Sequence, residues 1–289
     1  MKPQIIKLSD AEYFARSEMS KHSLDEFAKN PYAFFERRKA GIHADEDTDA
    51  LRIGRVVHAA VLEPFRFAHE YVLQPEHIKI RRGKDWDAFK LENEGREIIK
   101  ADESFLAKGI AAAIEKNETA RKLINACVVR ESAIIWRESK DDDYEIPMRA
   151  KVDFMSPNLA VLGDLKTTTD ASPEAFMKDC DAFGYDIQAA VYISAARALG
   201  RDPKCFAFLV VEKTYPFTTA IYTFDADSDF VLAGDLEYRR RLKAYADYSR
   251  GSFEGKELFC GWKEHNLPLP PWSKRLANLK DNLISQVQE

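Results

Sequence analysis

The stretch Met148–Thr169, MRAKVDFMSPNLAVLGDLKTTT, contains two apolar runs, and each run ends in charged residues. A Ser-Pro-Asn cluster between the runs is typical of a turn, so the stretch predicts a β-hairpin. Such a hairpin brings Asp153 beside Asp164, and strand alternation places Asp164 and Lys166 on one face and Leu165 on the other. Two carboxylates and an ammonium at the end of a hairpin would bind a hard divalent cation and leave a lysine beside the attacking water.

A simpler interpretation is that the aspartate and the lysine, two positions apart on a strand, form a solvated face. Three features favour a functional site. The Ala-Val-Leu-Gly run before Asp164 is apolar enough for a buried strand. A charge at the end of such a strand is costly to bury unless it serves a function. Asp153 similarly ends an apolar strand. The hairpin then runs into Thr167–Asp170, a loop with capping residues before the next helix.

Two predicted helices flank the hairpin in the sequence and carry further candidates. In Ala50–Leu62, Gly54 and His58 are four residues apart and share a helix face. In the later helix, Gln188 and Tyr192 have the same spacing. Taken singly, a histidine on an apolar helix is more often a satisfied core residue, and the tyrosine is more often half-buried packing. Glu63, just before Pro64, is a weaker candidate because it does not share the face of His58.

The combination of these motifs resembles the PD-(D/E)xK nucleases, and within them the RecB-like branch and the RecE (exonuclease VIII) family of phage and prophage. The predicted order of helix, meander, helix and strand resembles their αβββαβ core, so the expected fold class is mixed α/β with a restriction-endonuclease-like core and a helical insertion. The residues that carry the resemblance are Asp153 with Asp164-Leu165-Lys166, Gly54-x-x-x-His58 followed by Leu-Glu-Pro, and Gln188-x-x-x-Tyr192.

The resemblance implies a role for each motif. Asp153 and Asp164 would hold Mg²⁺ or Mn²⁺ together with His58 and the backbone carbonyl of Leu165, and Gly54 would let the helix approach the sheet. Lys166 would orient the attacking water or stabilise the charged transition state. Gln188 would lie beside this lysine, and Tyr192 would support the site or the DNA backbone. Iron–sulfur members of the branch carry a cysteine where this chain has Asn30, so no iron–sulfur cluster is expected.

The chain is expected to form a single nuclease domain, residues 1–289. An all-helical insertion at 65–127 would grip DNA or form subunit contacts, or would simply pack. A C-terminal extension at 251–289, with a Pro-rich segment between Trp262 and Trp272, would wrap on the domain or on a neighbouring subunit. The strand preceding the hairpin carries Glu131, which could face the site, although a solvated position is favoured. A basic loop within the insertion would contact DNA phosphates unless it is only a solvated face; its candidates are Arg81, Arg82, Lys84 and Trp86.

The composition limits the possible functions. The net charge of −5 and the pI of about 5.8 argue against a protein that coats nucleic acid, but a nuclease needs only a positive DNA channel. No apolar run approaches the length of a membrane span, and the N-terminus lacks the apolar region of a signal peptide. The four cysteines are scattered without a Cys-x-x-Cys pair. These features predict a cytoplasmic protein without a membrane partner.

Three functions remain open from the sequence. The first is an exonuclease that degrades double-stranded DNA from 5′ ends, forms a homo-oligomeric ring, and leaves 3′ single strands for a single-strand annealing protein, as the RecE resemblance implies. The second is a RecB-like endonuclease or single-strand nuclease. The third is a catalytically silent DNA-binding module, which the intact set of acidic residues and lysine disfavours.

Overall fold

A computed structural model describes residues 2–42, 48–140 and 143–251. Most of the predicted C-terminal extension, including Trp262 and Trp272, lies outside these residues. Within them, none of the helices combines the length and apolar character that a membrane crossing needs.

A six-stranded sheet forms the centre of the molecule, in the order β1-β4-β5-β6-β7-β8. The pairs are antiparallel except for β6 and β7, which run parallel and therefore need a helical crossover. Strands of this sheet are rich in β-branched and aromatic residues, and the inner strand β7 is buried on both faces. The strands are β1 (Gln4–Ile6), β4 (Val129–Lys140), β5 (Tyr144–Met155), β6 (Val161–Thr168), β7 (Cys205–Glu212) and β8 (Thr219–Asp225), and a separate parallel pair is formed by β2 (Tyr71–Leu73) and β3 (Glu97–Ile99).

Helices cover both faces of the sheet, and each face has its own apolar core. One core contains α2, α10 and α11 with side chains such as Phe206 and Phe208, and the other contains α4, α7 and α8 with Ala207 and Leu209. The alternation along β7 thus separates the two cores. The helices are α1 (Asp10–Phe14), α2 (Lys21–Lys29), α3 (Pro31–Lys39), α4 (Asp49–Leu62), α5 (Pro64–Glu70), α6 (Lys84–Glu92), α7 (Ala101–Lys116), α8 (Glu118–Ala126), α9 (Pro173–Phe183), α10 (Tyr185–Ala198) and α11 (Asp229–Ser249).

The alternation of side chains breaks at Asp153. Val152 and Met155 both pack in the core that contains α10, whereas Phe154 packs in the core that contains α4. Because Asp153 points away from Val152, Asp153 and Phe154 face the same side of the sheet. Glu131 of β4 lies opposite Asp153, between the regular pairs Arg130–Phe154 and Ser132–Val152. Its φ of 46° falls in the left-handed region, which non-glycine residues rarely adopt. This irregular backbone brings two acidic side chains of neighbouring strands to the same side.

Two expectations from the sequence need correction, and a third feature is new. The 65–127 segment is not all-helical, because β2 and β3 form a parallel pair inside it. At Gly54, an added Cβ would meet no described atom within 4 Å, so α4 makes no close approach to the sheet through this glycine. The third feature is one for which the sequence offers no expectation: the first residues form an edge strand, β1, that pairs with β4.

Candidate active site

Three residues from three elements converge where β4 and β5 become irregular. His58 projects from α4, Glu131 from β4 and Asp153 from β5, and each offers one donor atom within 4.8 Å of the others. His58 Nδ1 lies 3.4 Å from Glu131 Oε1 and 3.4 Å from Asp153 Oδ2. Both carboxylates are buried, Glu131 being 8% and Asp153 7% exposed. One imidazole and two carboxylates suit a divalent cation such as Mg²⁺ or Mn²⁺.

A second group lies beside this triad on β6 and α10. Asp164 Oδ2 forms an ion pair with Lys166 Nζ at 2.6 Å, and Asp164 Oδ1 accepts a hydrogen bond of 2.6 Å from Gln188 Nε2. Gln188 Nε2 also lies 3.2 Å from the Tyr192 hydroxyl, which donates to the Lys151 carbonyl at 2.9 Å. The four-residue spacing on α10 thus aims both side chains at the same gap. Asp164 is 4% exposed, so its charge depends on these partners.

The gap between β5 and β6 joins the two groups. The strands pair at Phe154–Gly163 and Met155–Leu162, next to the turn. Beyond these pairs, the Leu165 N–H donates to Asp153 Oδ2 at 2.7 Å, so a side chain accepts the bond that a strand carbonyl would otherwise accept. On the same residue, the Leu165 carbonyl lies 2.9 Å from His58 Nε2. Leu165 therefore connects the histidine to the aspartate through its backbone.

The acidic side chains shift the proton affinities of the site. Burial lowers the pKa of His58, but Asp153 and Glu131 outweigh it and raise this pKa to about 10. Burial and the neighbouring Asp164 carboxylate raise the pKa of Asp153 to about 8. The neighbouring carboxylates contribute to both shifts, because their negative potential binds protons tightly. The same potential would attract a metal cation.

Lysines compensate part of this negative charge. Burial lowers the pKa of Lys166, but the Asp164 carboxylate raises it overall, so the ammonium is retained at neutral pH. Lys166 Nζ also lies 4.7 Å from the centroid of the Tyr185 ring, where a cation is favoured. On the other side, Lys151 Nζ contacts Glu131 Oε2 at 3.1 Å and Asp10 Oδ1 at 2.5 Å.

Sequence reasoning missed Asp10 and gave the site position of Glu131 only second place. The sequence favours a solvated position for Glu131 over one that faces the site, yet the structure buries it within the triad. A signal was present, because a β4–β5 hairpin that pairs Glu138 with Ile146 also sets Glu131 opposite Asp153. Asp10, next to the N-terminal strand, reaches Lys151 through a contact between distant parts of the chain, which no local pattern indicates.

The structure brings together His58, Asp153, Leu165 and the motifs of β6 and α10, but not the other candidates. Glu63 pairs with Lys7 at 2.5 Å and with Arg66 at 3.0 Å, outside the triad. The basic loop belongs to the segment with β2 and β3. There Arg81 donates to Gln74 Oε1 and to the Ile98 carbonyl, each at 2.9 Å, and lies 5.4 Å from the centroid of the Trp86 ring. Arg82 and Lys84 are exposed.

We call the gap between β5 and β6, where the two groups meet, the fork. The PD-(D/E)xK-like class is defined by a helix, three antiparallel strands, a crossover helix and a parallel strand, with acidic residues and a lysine at this fork. Residues 20–264 match the model of the family described as a PDDEXK-like domain of unknown function (DUF3799), and the chain belongs to this family. The match confirms the predicted superfamily and fold class.

A solved structure shows the same architecture at low sequence identity. A candidate exonuclease from Eubacterium rectale has a TM-score of 0.60 and 17% identity, over 92% of this chain and 97% of that chain. A phage-related exonuclease from Haemophilus somnus 129PT has a TM-score of 0.32 and 13% identity, over 84% of this chain and 99% of that chain, which is too distant to support the fold. No curated protein sequence matches the chain. At 17% identity the likeness to the Eubacterium rectale structure shows the fold and not the activity.

Proposed function

We propose that this protein is a metal-dependent exodeoxyribonuclease that degrades linear double-stranded DNA in the 5′ to 3′ direction and leaves 3′ single strands for recombination. The observation that carries the proposal is the buried triad of His58, Glu131 and Asp153 directly beside the Asp164–Lys166 ion pair. The polarity, the homo-oligomeric ring and the annealing partner come from the resemblance to RecE-like exonucleases. The basic loop with Arg82 and Lys84 remains a proposed phosphate contact.

The donor set fits a divalent cation. His58, Glu131 and Asp153 would hold it, and the neighbouring Asp164 and the Leu165 carbonyl remain proposed ligands. Oxygen donors dominate this set, which favours Mg²⁺ or Mn²⁺ over softer metals. When bound, the ion would polarise the scissile phosphate and lower the pKa of a water molecule.

The chain's own residues would orient the reacting groups. Lys166, held by Asp164 and the Tyr185 ring, would donate hydrogen bonds to the attacking water or to the phosphate oxygens as negative charge develops. Gln188 fixes the Asp164 carboxylate and thereby the direction of the lysine. Tyr192 ties α10 to β5 through the Lys151 carbonyl, so the two sides of the fork keep a constant spacing. Such fixed geometry is what transition-state stabilisation requires.

The experiment is digestion of a linear duplex that is labelled separately at its 5′ and 3′ ends, beside a covalently closed circle. With Mg²⁺ we expect early release of the 5′ label and an intact circle, and with EDTA no digestion. Lys166→Ala should lower the turnover number by about 10²–10³-fold, as loss of a transition-state donor does. Lys178→Ala, which removes an exposed lysine paired with Glu174 on α9, is the matched control and should retain activity.

Each alternative outcome has a distinct meaning. Cleavage of the circle would indicate an endonuclease, and early release of the 3′ label would reverse the polarity. Full activity of Lys166→Ala would refute the mechanism. Binding of DNA without any cleavage, across Mg²⁺ and Mn²⁺, would leave the protein as a silent DNA-binding module.

A further inference from the structure

An aromatic ledge lies beyond the ends of β6 and β7. We use this name for Phe105 at the start of α7 and for Tyr215 and Phe217 in the loop between β7 and β8. Tyr215 is 82% and Phe105 65% exposed, whereas Phe217 is buried. The ring centroids of Phe105 and Phe217 are 6.0 Å apart, and those of Tyr215 and Phe217 are 6.1 Å apart. Neighbouring exposed aromatic rings, unlike singly scattered ones, are typical of a binding surface.

The ledge is held firmly. The Phe217 ring packs against Gly109 of α7 so closely that an added Cβ there would overlap it. Backbone hydrogen bonds close the loop, from Phe217 N–H to the Thr214 carbonyl at 2.7 Å and from Glu212 N–H to the Thr218 carbonyl at 2.9 Å. A ring presented by such a loop loses little conformational entropy when a ligand stacks on it.

Two elements of the candidate active site border the ledge. The Lys213 N–H donates to the Thr168 carbonyl at 2.9 Å, and Thr168 lies two residues after Lys166 on β6. A pocket of about 240 Å³ beside the ledge is also lined by Ile53, five residues before His58 on α4. The ledge is therefore continuous with the strand and the helix that carry the catalytic candidates.

We propose that the aromatic ledge stacks against an unpaired base of the DNA strand next to the hydrolytic site. This inference rests on the proposed nuclease function, and it specifies that the site accepts DNA with an unpaired base beside the bond to be cleaved. Stacking on aromatic rings is the general way in which proteins hold unpaired bases, since every base has a π-face. Lys213, which lines the pocket, offers a positive charge to a flanking phosphate.

The size and charge of the pocket favour a base as the occupant. At about 240 Å³ it is smaller than the roughly 300–1,000 Å³ of pockets for drug-sized ligands, so it suits one flat ring system. Its lining includes Asp102 and Glu103, and Glu103 pairs with Arg52. Carboxylates there disfavour a phosphate inside the pocket. The base would enter the pocket, and the sugar–phosphate backbone of the DNA would pass outside it, along Lys213.

The test measures binding and cleavage separately on the full-length protein. A single-stranded oligonucleotide with 2-aminopurine at its end reports stacking by fluorescence quenching, in EDTA to prevent hydrolysis. Phe105→Ala with Tyr215→Ala should weaken binding at least about tenfold and abolish most of the quenching. Tyr215→Phe retains the ring and should bind like the wild type. Phe65→Ala, which removes a phenyl ring from α5 that is 84% exposed, close to the 82% of Tyr215, is the matched control.

The outcomes separate this proposal from the nuclease function. If the wild type cleaves linear duplex while the double variant keeps wild-type affinity and quenching, the ledge proposal is wrong and the nuclease function stands. If the wild type never cleaves DNA yet quenching depends on the ledge, the base-stacking surface stands without the activity. A changed oligomeric state in the double variant, by light scattering, with unchanged quenching would make the ledge a subunit contact and overturn the proposal.

Discussion

At the scale of single residues, Glu131 combines an unusual backbone with a buried charge. Its left-handed φ of 46° costs of order 1 kcal/mol or more for a residue with a side chain. Burial raises the pKa of its carboxyl group, but His58 and Lys151 outweigh burial and lower this pKa to about 2. Glu131 is thus ionised at every pH at which the protein would act. A charged residue with a strained backbone beside His58 and Asp153 has the properties expected of a metal ligand that is preorganised before the ion binds.

We therefore expect Glu131→Gln to weaken metal binding. The substitution keeps the shape of the side chain but removes one negative charge from the triad, so affinity for Mn²⁺ should fall by about tenfold or more. Isothermal titration calorimetry of the metal-free protein measures this without any DNA. Glu63→Gln is the matched control, because Glu63 also pairs with cations yet lies outside the triad. Equal affinities of Glu131→Gln and wild type would exclude Glu131 as a ligand.

At the scale of elements, the position of α10 decides whether the site is assembled. This helix carries Gln188 and Tyr192, and it packs against α11 at Gly234. An added Cβ at Gly234 would overlap backbone atoms of Asp186 and Ile187, which cannot rotate away as a side chain can. A buried network strengthens the same contact, since Glu138 of β4 accepts hydrogen bonds from Trp136 and Ser194 and pairs with Arg239.

Gly234→Ala should therefore destabilise the protein and disturb catalysis together. Overpacking of this kind costs about 1–3 kcal/mol, or roughly 2–4 °C in Tm per kcal/mol for a chain of this size. Because the overlap lies two residues before Gln188, kcat should also fall in the variant that remains folded at 25 °C. Thermal unfolding followed by circular dichroism and a nuclease assay on the same preparation measure both effects.

Gly54→Ala provides the comparison. Gly54 has helical backbone and open space around its Cβ position, so alanine there should be neutral or stabilise α4 by about 0.5–1 kcal/mol. If Gly234→Ala were as stable as Gly54→Ala, the α10–α11 contact would be looser than the structure indicates.

At the scale of the whole molecule, the parts that the sequence predicts are those with local patterns. The apolar periodicity of α4 and α10 and the turn between β5 and β6 each follow from a few adjacent residues, and they suffice to bring His58, Asp164 and Gln188 to one fork. The position of Glu131 in the triad depends on its own left-handed backbone, where strand alternation breaks. The Asp10–Lys151 contact depends on packing between residues 141 apart. Such features arise from the complete tertiary fold, so periodicity does not indicate them.

Proton binding at the fork should make the stability of the metal-free protein depend on pH. The pKa of Asp153 is raised to about 8 and that of His58 to about 10, both above their unfolded values of 3.8 and 6.5. The folded state therefore binds more protons, and this stabilisation is lost as pH rises through the folded pKa values. The lowered pKa of Glu131 acts in the opposite direction, but only as pH falls below 4.5. Between pH 6.5 and 9, Tm in EDTA should fall steadily.

A divalent cation should remove this dependence, because it replaces the protons as the partner of the carboxylates. At a hundredfold excess over Kd, the ion adds about 2.7 kcal/mol, or roughly 5–10 °C, and the gain should be larger at pH 9 than at pH 6.5. Differential scanning calorimetry with EDTA or Mn²⁺ at both pH values measures it. Asp153→Asn should flatten the EDTA curve and reduce the Mn²⁺ gain. A Tm in EDTA that is constant from pH 6.5 to 9 would mean that the carboxylates do not share protons in the folded protein, and the fork would then lack the negative potential on which the proposed metal site depends.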